Sequence, residues 1–312
     1  MAERKDVIER AYQLINEPID PNLRCPVELV DIVNYKESEP GETVEYFASD
    51  AQDRAITDLI TIDAAGSITY VKVGLKTTTP LAFVGIESNL ETVLINEIMN
   101  SKDQGALAAK KNGIIRAMDN EEVRRILALC LAATQQEVHK VTGEDLLDVI
   151  IKMKQKVSDY ATDYVLLVAS DVMDAIERYD KENVTNFMYK MTIKEVIADL
   201  GIAKIVKVIG QTRFDASTVS CLAAGKAVLV GRNSNLVAGR PIAFLRRKFE
   251  KEIAELSGAG EGAVRLIDVA RTPTVVNGAG KNTLGFGVYG YESCIQVLTN
   301  FRAVSWSDEI IA

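Results

Sequence analysis

Residues 66–85 read GSITYVKVGLKTTTPLAFVG. Within them the run Ser67–Leu75 is rich in Ile, Thr, Tyr and Val and predicts a strand. At about 3.3 Å per residue the run reaches about 30 Å. Ile68 and Tyr70 fall on one face, while Val71, Val73 and Leu75 fall on the other. Upstream, ESEPGETVEYFASD (residues 37–50) carries a second predicted strand, Thr43–Ala48. A two-strand projection with apolar groups on both faces cannot hide them within itself, and an isolated hairpin is marginal in water. Something else must cover it, and another copy of the same chain is a candidate.

Working outward, the segment before this loop does not read as a core. Glu3 to Asn16 predicts a short helix with Val7, Ile8, Ala11, Tyr12 and Ile15 on one stripe. Pro18, Pro21 and Pro26 then enforce an extended path. A helix followed by a proline-punctuated strip is the pattern of an arm.

After the loop, helices are predicted. Ser88-Asn89-Leu90-Glu91 has the capping-box spacing of a helix start. A second start is read near Asp119, where Asp119, Glu121 and Glu122 suit the positive end of a helix. From there Val123, Ile126, Leu127, Cys130, Leu131 and Thr134 recur at helical spacing, with Arg124, Arg125, Ala128 and Gln135 opposite. Gly143 breaks the pattern, and Leu146, Leu147, Ile150, Met153, Val157 and Tyr160 predict another amphipathic helix. Short elements then alternate: DYVLLVAS as a buried strand, DVMDAIERYD as a helix, and IKEVIADLG as a helix ended by Gly201. IAKIVKVIG, KAVLVGR and PIAFLRRKF follow as strands. This alternation predicts a compact α/β unit over about residues 143–270.

The tail differs. Tyr291, Ser293, Ile295, Val297, Thr299, Phe301 and Ala303 alternate with Glu292, Gln296, Asn300 and Arg302, which predicts a strand of about twelve residues. That is roughly twice the usual length. Its natural surface is the long helix after Asp119, so the chain is read as one elongated unit, from residues 89–142 plus the tail, with the compact unit inserted.

Composition narrows the chemistry. The chain has 312 residues, 47% hydrophobic and 26% charged, and is long enough for two or three domains. It has no run of eighteen apolar residues and no apolar centre near the start, so no membrane span or secretory signal is read, and the protein is expected to be cytosolic when made. A net charge of −8 argues against tight wrapping of nucleic acid. Cys25, Cys130, Cys221 and Cys294 lie far apart with no CxxC pair, which reads as buried thiols and no zinc site. The single histidine, His139 in QQEVHKVTG, leaves little for nucleophilic or His-based metal chemistry and is read as structural.

Two glycine runs fail as phosphate sites. In GAGKNT (278–283) the phosphate-loop pattern needs Gly where Val275 stands and Ser or Thr where Asn282 stands. SGAGEGAV (257–264) is spaced GxGxG after a predicted helix, not GxGxxG after a strand. Asp50, Asp53, Asp58 and Asp63 lack the calcium-loop pattern. No cofactor, metal or catalytic residue is therefore expected. GRPIAFLRRKFE gathers Arg240, Arg246, Arg247 and Lys248, with Arg246 and Lys248 on one strand face, and reads as a salt-bridging interface, a weak phosphate contact or a solvated edge.

Taken in order, these segments resemble the Hong Kong 97-type fold of tailed-bacteriophage major capsid proteins. The arm is followed by the loop (GETVEYF to SITYVKVGLKTTTPLAFVG), a spine helix (DNEEVRRILALCLAATQQ), an axial domain (YVLLVAS, AKIVKVIGQ, KAVLVGR, GRPIAFLRRKF) and a long returning strand (YESCIQVLTNFRAVSW). The resemblance covers nearly the whole chain and rests on element order. It implies an α+β fold divided into an N-terminal arm (1–41), extended β-hairpin loop (42–88), peripheral domain with spine helix (89–142), inserted α/β axial domain (143–270) and second peripheral part (271–312).

The resemblance further implies a non-enzymatic protein that assembles with itself into hexamers and pentamers of an icosahedral head, made in the host cytoplasm and carried in the virion. Packaged double-stranded DNA would touch it weakly and non-specifically, and portal, scaffolding or cement proteins are the other implied partners; no membrane is. Tyr70, Lys72 and Lys76 are the candidate loop-docking residues, and Arg124, Arg125, Arg246 and Arg247 the candidate inter-subunit ion-pairing residues. Two rival readings are an encapsulin-like nanocompartment shell, which shares the fold but encloses enzymes, and a cytosolic α/β nucleotide-using enzyme built on the glycine loops.

Overall fold

An 18-residue strand, Lys281–Leu298, gathers five shorter strands onto its two edges. The computed structural model describes residues 29, 31–42, 45–47, 78–80, 84–87, 91–94, 104–183, 192–209, 211–212, 218–232, 240–256, 261–269, 274–278 and 281–311. The predicted N-terminal helix, the strand Ser67–Leu75 with Tyr70, Lys72 and Lys76, and the Asp50–Asp63 carboxylates lie outside these residues.

In chain order the strands and helices are β1 (Val33–Ser38), β2 (Glu45–Phe47), β3 (Thr78–Pro80), β4 (Val84–Glu87), β5 (Glu91–Leu94) and α1 (Gln104–Leu131). Then come α2 (Leu146–Val157), β6 (Tyr164–Val168), α3 (Ser170–Asn183), α4 (Ile193–Asp199), β7 (Ile202–Lys207), β8 (Gln211–Thr212), β9 (Thr218–Val219) and β10 (Ala227–Gly231). The chain closes with β11 (Ile242–Arg247), α5 (Lys251–Leu256), β12 (Arg265–Val269), β13 (Thr274–Gly278), β14 (Lys281–Leu298) and β15 (Val304–Ser307).

β14 is paired on both sides at once. Cys294 stands opposite Arg246 of β11 and Val84 of β4, and Gly285 opposite Thr274 of β13 and Leu94 of β5. So β11, β12 and β13 follow one another along one edge, while β4 and β5 share the other. β1 extends the sheet in parallel beyond β11. The GAGK stretch read as a turn is the link between β13 and β14, where Gly278 pairs with Lys281.

α1 packs on this sheet through a buried stripe of Ile115, Met118, Glu122 and Ile126, widened by Ile114, Val123, Leu127 and Cys130. Its 28 residues span about 42 Å at 1.5 Å per residue. The helix begins at Gln104, not near Asp119 as the acidic run suggested. Gly105, Gly113 and two lysines dilute the apolar period upstream, and the acids serve another purpose, described below. Where helix and strand come closest, β14 offers Gly290: a Cβ there would sit 2.6 Å from Ile114 Cγ2 and 2.7 Å from Met118 Sδ.

The face of β14 turned to the helix corrects the sequence reading. Gly290, Glu292 and Cys294 are buried, whereas Tyr291 and Ser293 are half-buried; further along, Ile295 and Val297 of the predicted apolar face are buried. The capping-box reading of Ser88–Glu91 also fails, because Glu91–Leu94 is strand β5 on the edge of β14. Non-local pairing has overridden a local cap motif.

A second sheet has the order β15-β10-β6-β7, parallel only between β6 and β7. Every residue of β6, β10 and β15 is buried, as expected of strands covered on both faces. α2 lies against β15 and β10, and Ser305 Oγ donates to the Met153 carbonyl at 2.9 Å. The helix is capped by Asp145, whose side chain accepts from Leu147 N and Asp148 N, and it buries Leu146, Val149, Ile150, Met153 and Val157. α4 ends, as predicted, at Gly201, whose φ of +83° is the left-handed conformation glycine adopts without strain.

One predicted sheet membership changes. Ile242–Arg247 was read as a strand of the compact unit of residues 143–270, yet it pairs with β14, as does Arg265–Val269, a strand not read from the sequence. The predicted tail strand, Tyr291 to Ala303, instead begins at Lys281 and ends at Leu298. A 3-10 turn at Phe301–Ala303 then turns the chain, and β15 joins β10 in the other sheet. One apolar cluster connects the two sheets through α1, α2 and β15.

Candidate assembly loop and a buried ionic cluster

Of the predicted extended loop, residues 42, 45–47, 78–80 and 84–87 are described. β2 and β3 pair antiparallel, Glu45 with Pro80 and Phe47 with Thr78, so the thirty residues between them leave and return at one place. Two arginines fasten the flanks of this base. Arg247 Nη2 donates to the Glu42 carbonyl at 2.6 Å on the incoming side. Arg125 Nη2 donates to the Gly85 carbonyl at 3.0 Å on the outgoing side, while its Nε holds Glu121 Oε1 at 2.9 Å. Lys248 adds Glu39 Oε1 at 2.6 Å and Glu37 Oε2 at 3.7 Å.

These contacts relocate the predicted ion-pairing residues. Arg246 does not face outward: it is 5% exposed, and its guanidinium bonds Glu122 through Nε at 2.9 Å and Nη2 at 2.6 and 2.7 Å. Aromatic rings flank it, Tyr35 at 4.9 Å and Phe244 at 5.7 Å from the guanidinium carbon. On β11 the buried positions are Ile242, Phe244 and Arg246, so alternation carries Arg246 to the inner face and Arg247 away from it. Arg124 remains at the surface, forked onto Glu121 at 2.6 Å through both Nε and Nη2. The loop residues Tyr70, Lys72 and Lys76 lie outside the described residues.

Beneath the loop base lies a cluster that sequence reasoning missed. Arg265 of β12 donates to Asp119 Oδ1 at 2.6 Å, to Glu122 Oε1 at 2.9 Å, and through Nε to Glu292 Oε2. Three carboxylates thus face two guanidinium groups, those of Arg246 and Arg265, leaving one excess negative charge if all ionise. Burial pushes the Glu122 carboxyl up to about 7, Glu292 adds to the rise, and Arg246 and Arg265 oppose it. Burial likewise raises Asp119 against the pull of Arg265. For Arg265 burial works against the charge, yet Glu122, Glu292 and Asp119 prevail and raise its pKa. Cys294, beside Glu292 on the same strand, is pushed up to about 12, first by burial and then by Glu292. That keeps it a thiol, consistent with the buried-thiol reading of the cysteines.

A sign of this cluster was present in the sequence. Glu122 stands four residues after Met118 and four before Ile126, in the middle of an apolar stripe, where a carboxylate needs a buried partner.

No protein-family model matches the chain, and no curated protein matches it in sequence. Solved structures do. A chain from Mycobacterium phage Adephagia matches with TM-score 0.52 at 13% identity, covering 93% of this chain and 94% of that one. One from Microbacterium phage Oxtober96 matches with TM-score 0.51 at 14% identity, covering 93% and 92%. A phage-related protein from Bordetella bronchiseptica RB50 matches with TM-score 0.50 at 14% identity, covering 97% of each chain. Aligned with these structures over more than nine-tenths of its length, the chain has the Hong Kong 97-type capsid fold.

Proposed function

We propose that this chain is a structural protein that assembles with itself, through hexamers and pentamers, into an icosahedral phage head around double-stranded DNA. The observation that supports this most is the fold, aligned over 93% or more of the chain with proteins from phages. In this reading residues 1–41 are an arm, 42–88 the extended loop, and the remainder divides between a peripheral and an axial domain. The loop would lie over a neighbouring subunit through Tyr70, Lys72 and Lys76, with its flanks held from below by Arg247 and Arg125. Arg124 is available for contacts between copies. Repeated heterologous contacts around an axis close into rings, and many modest interfaces together make a durable shell.

The charge of −8 suits a wall that DNA must not stick to, leaving weak non-specific contact. Portal, scaffolding or cement proteins are the further partners of such a head, the virion is where the protein would reside, and assembly would take place in the host cytoplasm. Among the described residues no helix is long and apolar enough to cross a membrane. The reading involves no catalysis.

Negative-stain microscopy and sedimentation of the purified full chain test it. Rings, tubes or polyhedral shells are the expected products. Uniform monomers or dimers under assembly conditions would overturn the proposal, and shells that co-purify with a protein cargo would replace it by the nanocompartment reading.

A further inference from the structure

We propose that Glu137, His139 and Asp308 form a binding site for one divalent transition-metal ion of the zinc type, at the junction between the end of the long helix and the C-terminal strand. The backbone brings the three together. Glu137 and Trp306 form a parallel bridge, with Val138 N donating to the Trp306 carbonyl at 2.8 Å. Two residues beyond the bridge on each segment stand His139 and Asp308, the latter just past the end of β15. One donor atom from each of the three residues lies within 4.8 Å of the other two, and His139 Nδ1 is 3.9 Å from Glu137 Oε1.

Electrostatics at the junction is unbalanced. Two carboxylates converge, and among the described residues no lysine or arginine is at ion-pair distance from either. Lys156 Nζ is nearby, but it donates to the backbone carbonyls of Gln135 at 3.1 Å and Glu137 at 2.6 Å. Asp308 Oδ1 is shut off from solvent with no hydrogen-bond partner. An acceptor in that position is normally satisfied, and a cation between the carboxylates satisfies it while cancelling their repulsion.

The donor set selects the ion. One imidazole nitrogen and two carboxylate oxygens suit zinc and its neighbours, whereas magnesium and calcium take oxygen ligands alone. Ligands about 2.0–2.2 Å from zinc lie roughly 3.4 Å apart in a tetrahedron. Closing the site therefore takes movements of about 1 Å, which His139 can supply because its side chain is 69% exposed. The same exposure leaves the fourth position to water. The bound ion would act as a clip between residues 137–139 and residue 308, holding the last strand to the segment that follows α1.

The test is a zinc titration of the untagged, chelator-stripped full chain, read by competition with a chromophoric chelator and by thermal melting. One zinc per chain in the micromolar range is expected, with a rise in Tm that saturates with the ion and that magnesium at equal concentration does not reproduce. His139→Ala and Asp308→Asn should each weaken binding at least tenfold while leaving the metal-free Tm within about 2 °C of the parent. Zinc affinity unchanged in both variants, or no binding up to millimolar zinc, overturns the site. Glu137→Gln provides the third ligand check if either of the others unfolds.

Discussion

Glu122 on α1 and Glu292 on β14 are both completely buried, and both are bonded to the one guanidinium of Arg265. The centre of the contact between the long helix and the long strand is therefore ionic. Desolvating such groups is expensive, so the cluster holds only because the cations sit directly on the carboxylates. Glu292 Oε1 nevertheless lacks a hydrogen-bond partner. A proton on Glu122 supplies one across the carboxylate pair, and burial together with Glu292 raises the Glu122 carboxyl to about 7.

This sets a pH dependence with a definite sign. A carboxyl whose folded pKa is raised binds its proton more tightly in the native state, so its contribution is complete below the unfolded value near 4.5 and is lost as pH rises through about 7. Asp119, also raised, acts in the same direction. Asp31, Glu121 and Asp145 are lowered, so their contributions are lost only in acid, as pH falls below about 4. Between pH 5 and 8 the cluster decides the slope. Thermal melts should show a higher Tm at pH 5 than at pH 8, and Glu122→Gln, a permanent stand-in for the protonated acid, should flatten that profile. A Tm that climbs from pH 5 to 8 in the parent contradicts the assignment.

Removing a cation from this cluster should cost far more than removing one from the surface. Arg265→Met takes the cation from Asp119 and Glu292 and leaves Glu122 with Arg246 alone, and it should lower unfolding stability by about 3–5 kcal/mol. Arg265→Lys should recover little, because one ammonium cannot reproduce a fork that reaches Asp119, Glu122 and Glu292 together. Arg124→Ala removes an exposed i,i+3 pair and should cost less than about 1 kcal/mol. Urea unfolding of the three variants checks the ranking.

What was legible in the sequence follows how local the cause is. α2 and β6 were readable because Leu146, Ile150 and Met153 recur at helical spacing and Tyr164–Val168 is an unbroken apolar run. The start of α1 was not, since Asp119 and Glu122 resemble a helix-capping acid run until Arg246 and Arg265 arrive from strands far along the chain. Around residues 290–294 the inner face of β14 was inverted for the same reason, whereas Ile295 and Val297 of the predicted apolar face are buried. Glu292 looks like a solvent residue unless its partner is known, and the Gly290 beside it marks a close approach only once the helix is in place. Ser88–Glu91 has a sound capping pattern, yet a ladder along β14 outweighs it.

Close approaches give a prediction that separates rigid from yielding contacts. At Gly231 an added Cβ would collide with the Cβ of Ala161, which is carried directly on the backbone. At Gly290 it would meet Ile114 Cγ2 and Met118 Sδ, and the methionine can move. Gly231→Ala should therefore cost about 3 kcal/mol, the upper end of the usual overpacking range, and Gly290→Ala nearer its lower end of about 1 kcal/mol. Ala161→Gly combined with Gly231→Ala exchanges the two methyl positions and should recover part of the loss. Strict additivity of the two substitutions in denaturant melts would show that they do not meet.

The arginines flanking the loop base should separate folding from assembly. Arg247 and Arg125 each donate to a backbone carbonyl, at Glu42 and Gly85, and neither of these bonds lies at the centre of the core. Losing one should cost the isolated chain about 1–2 kcal/mol, the scale of a charge-assisted hydrogen bond near the surface. The consequence for a shell is larger. A loop that must dock on a neighbour loses affinity when its base is free to swing, because the ordering cost moves from folding to association, and that loss recurs at every subunit. Arg247→Ala should therefore keep a cooperative melt and a normal circular dichroism spectrum while shell yield by sedimentation falls several-fold. Tyr70→Ala should reproduce the assembly defect with no change in Tm. If both variants form shells at the parental yield, the loop is not the element that joins one copy to the next.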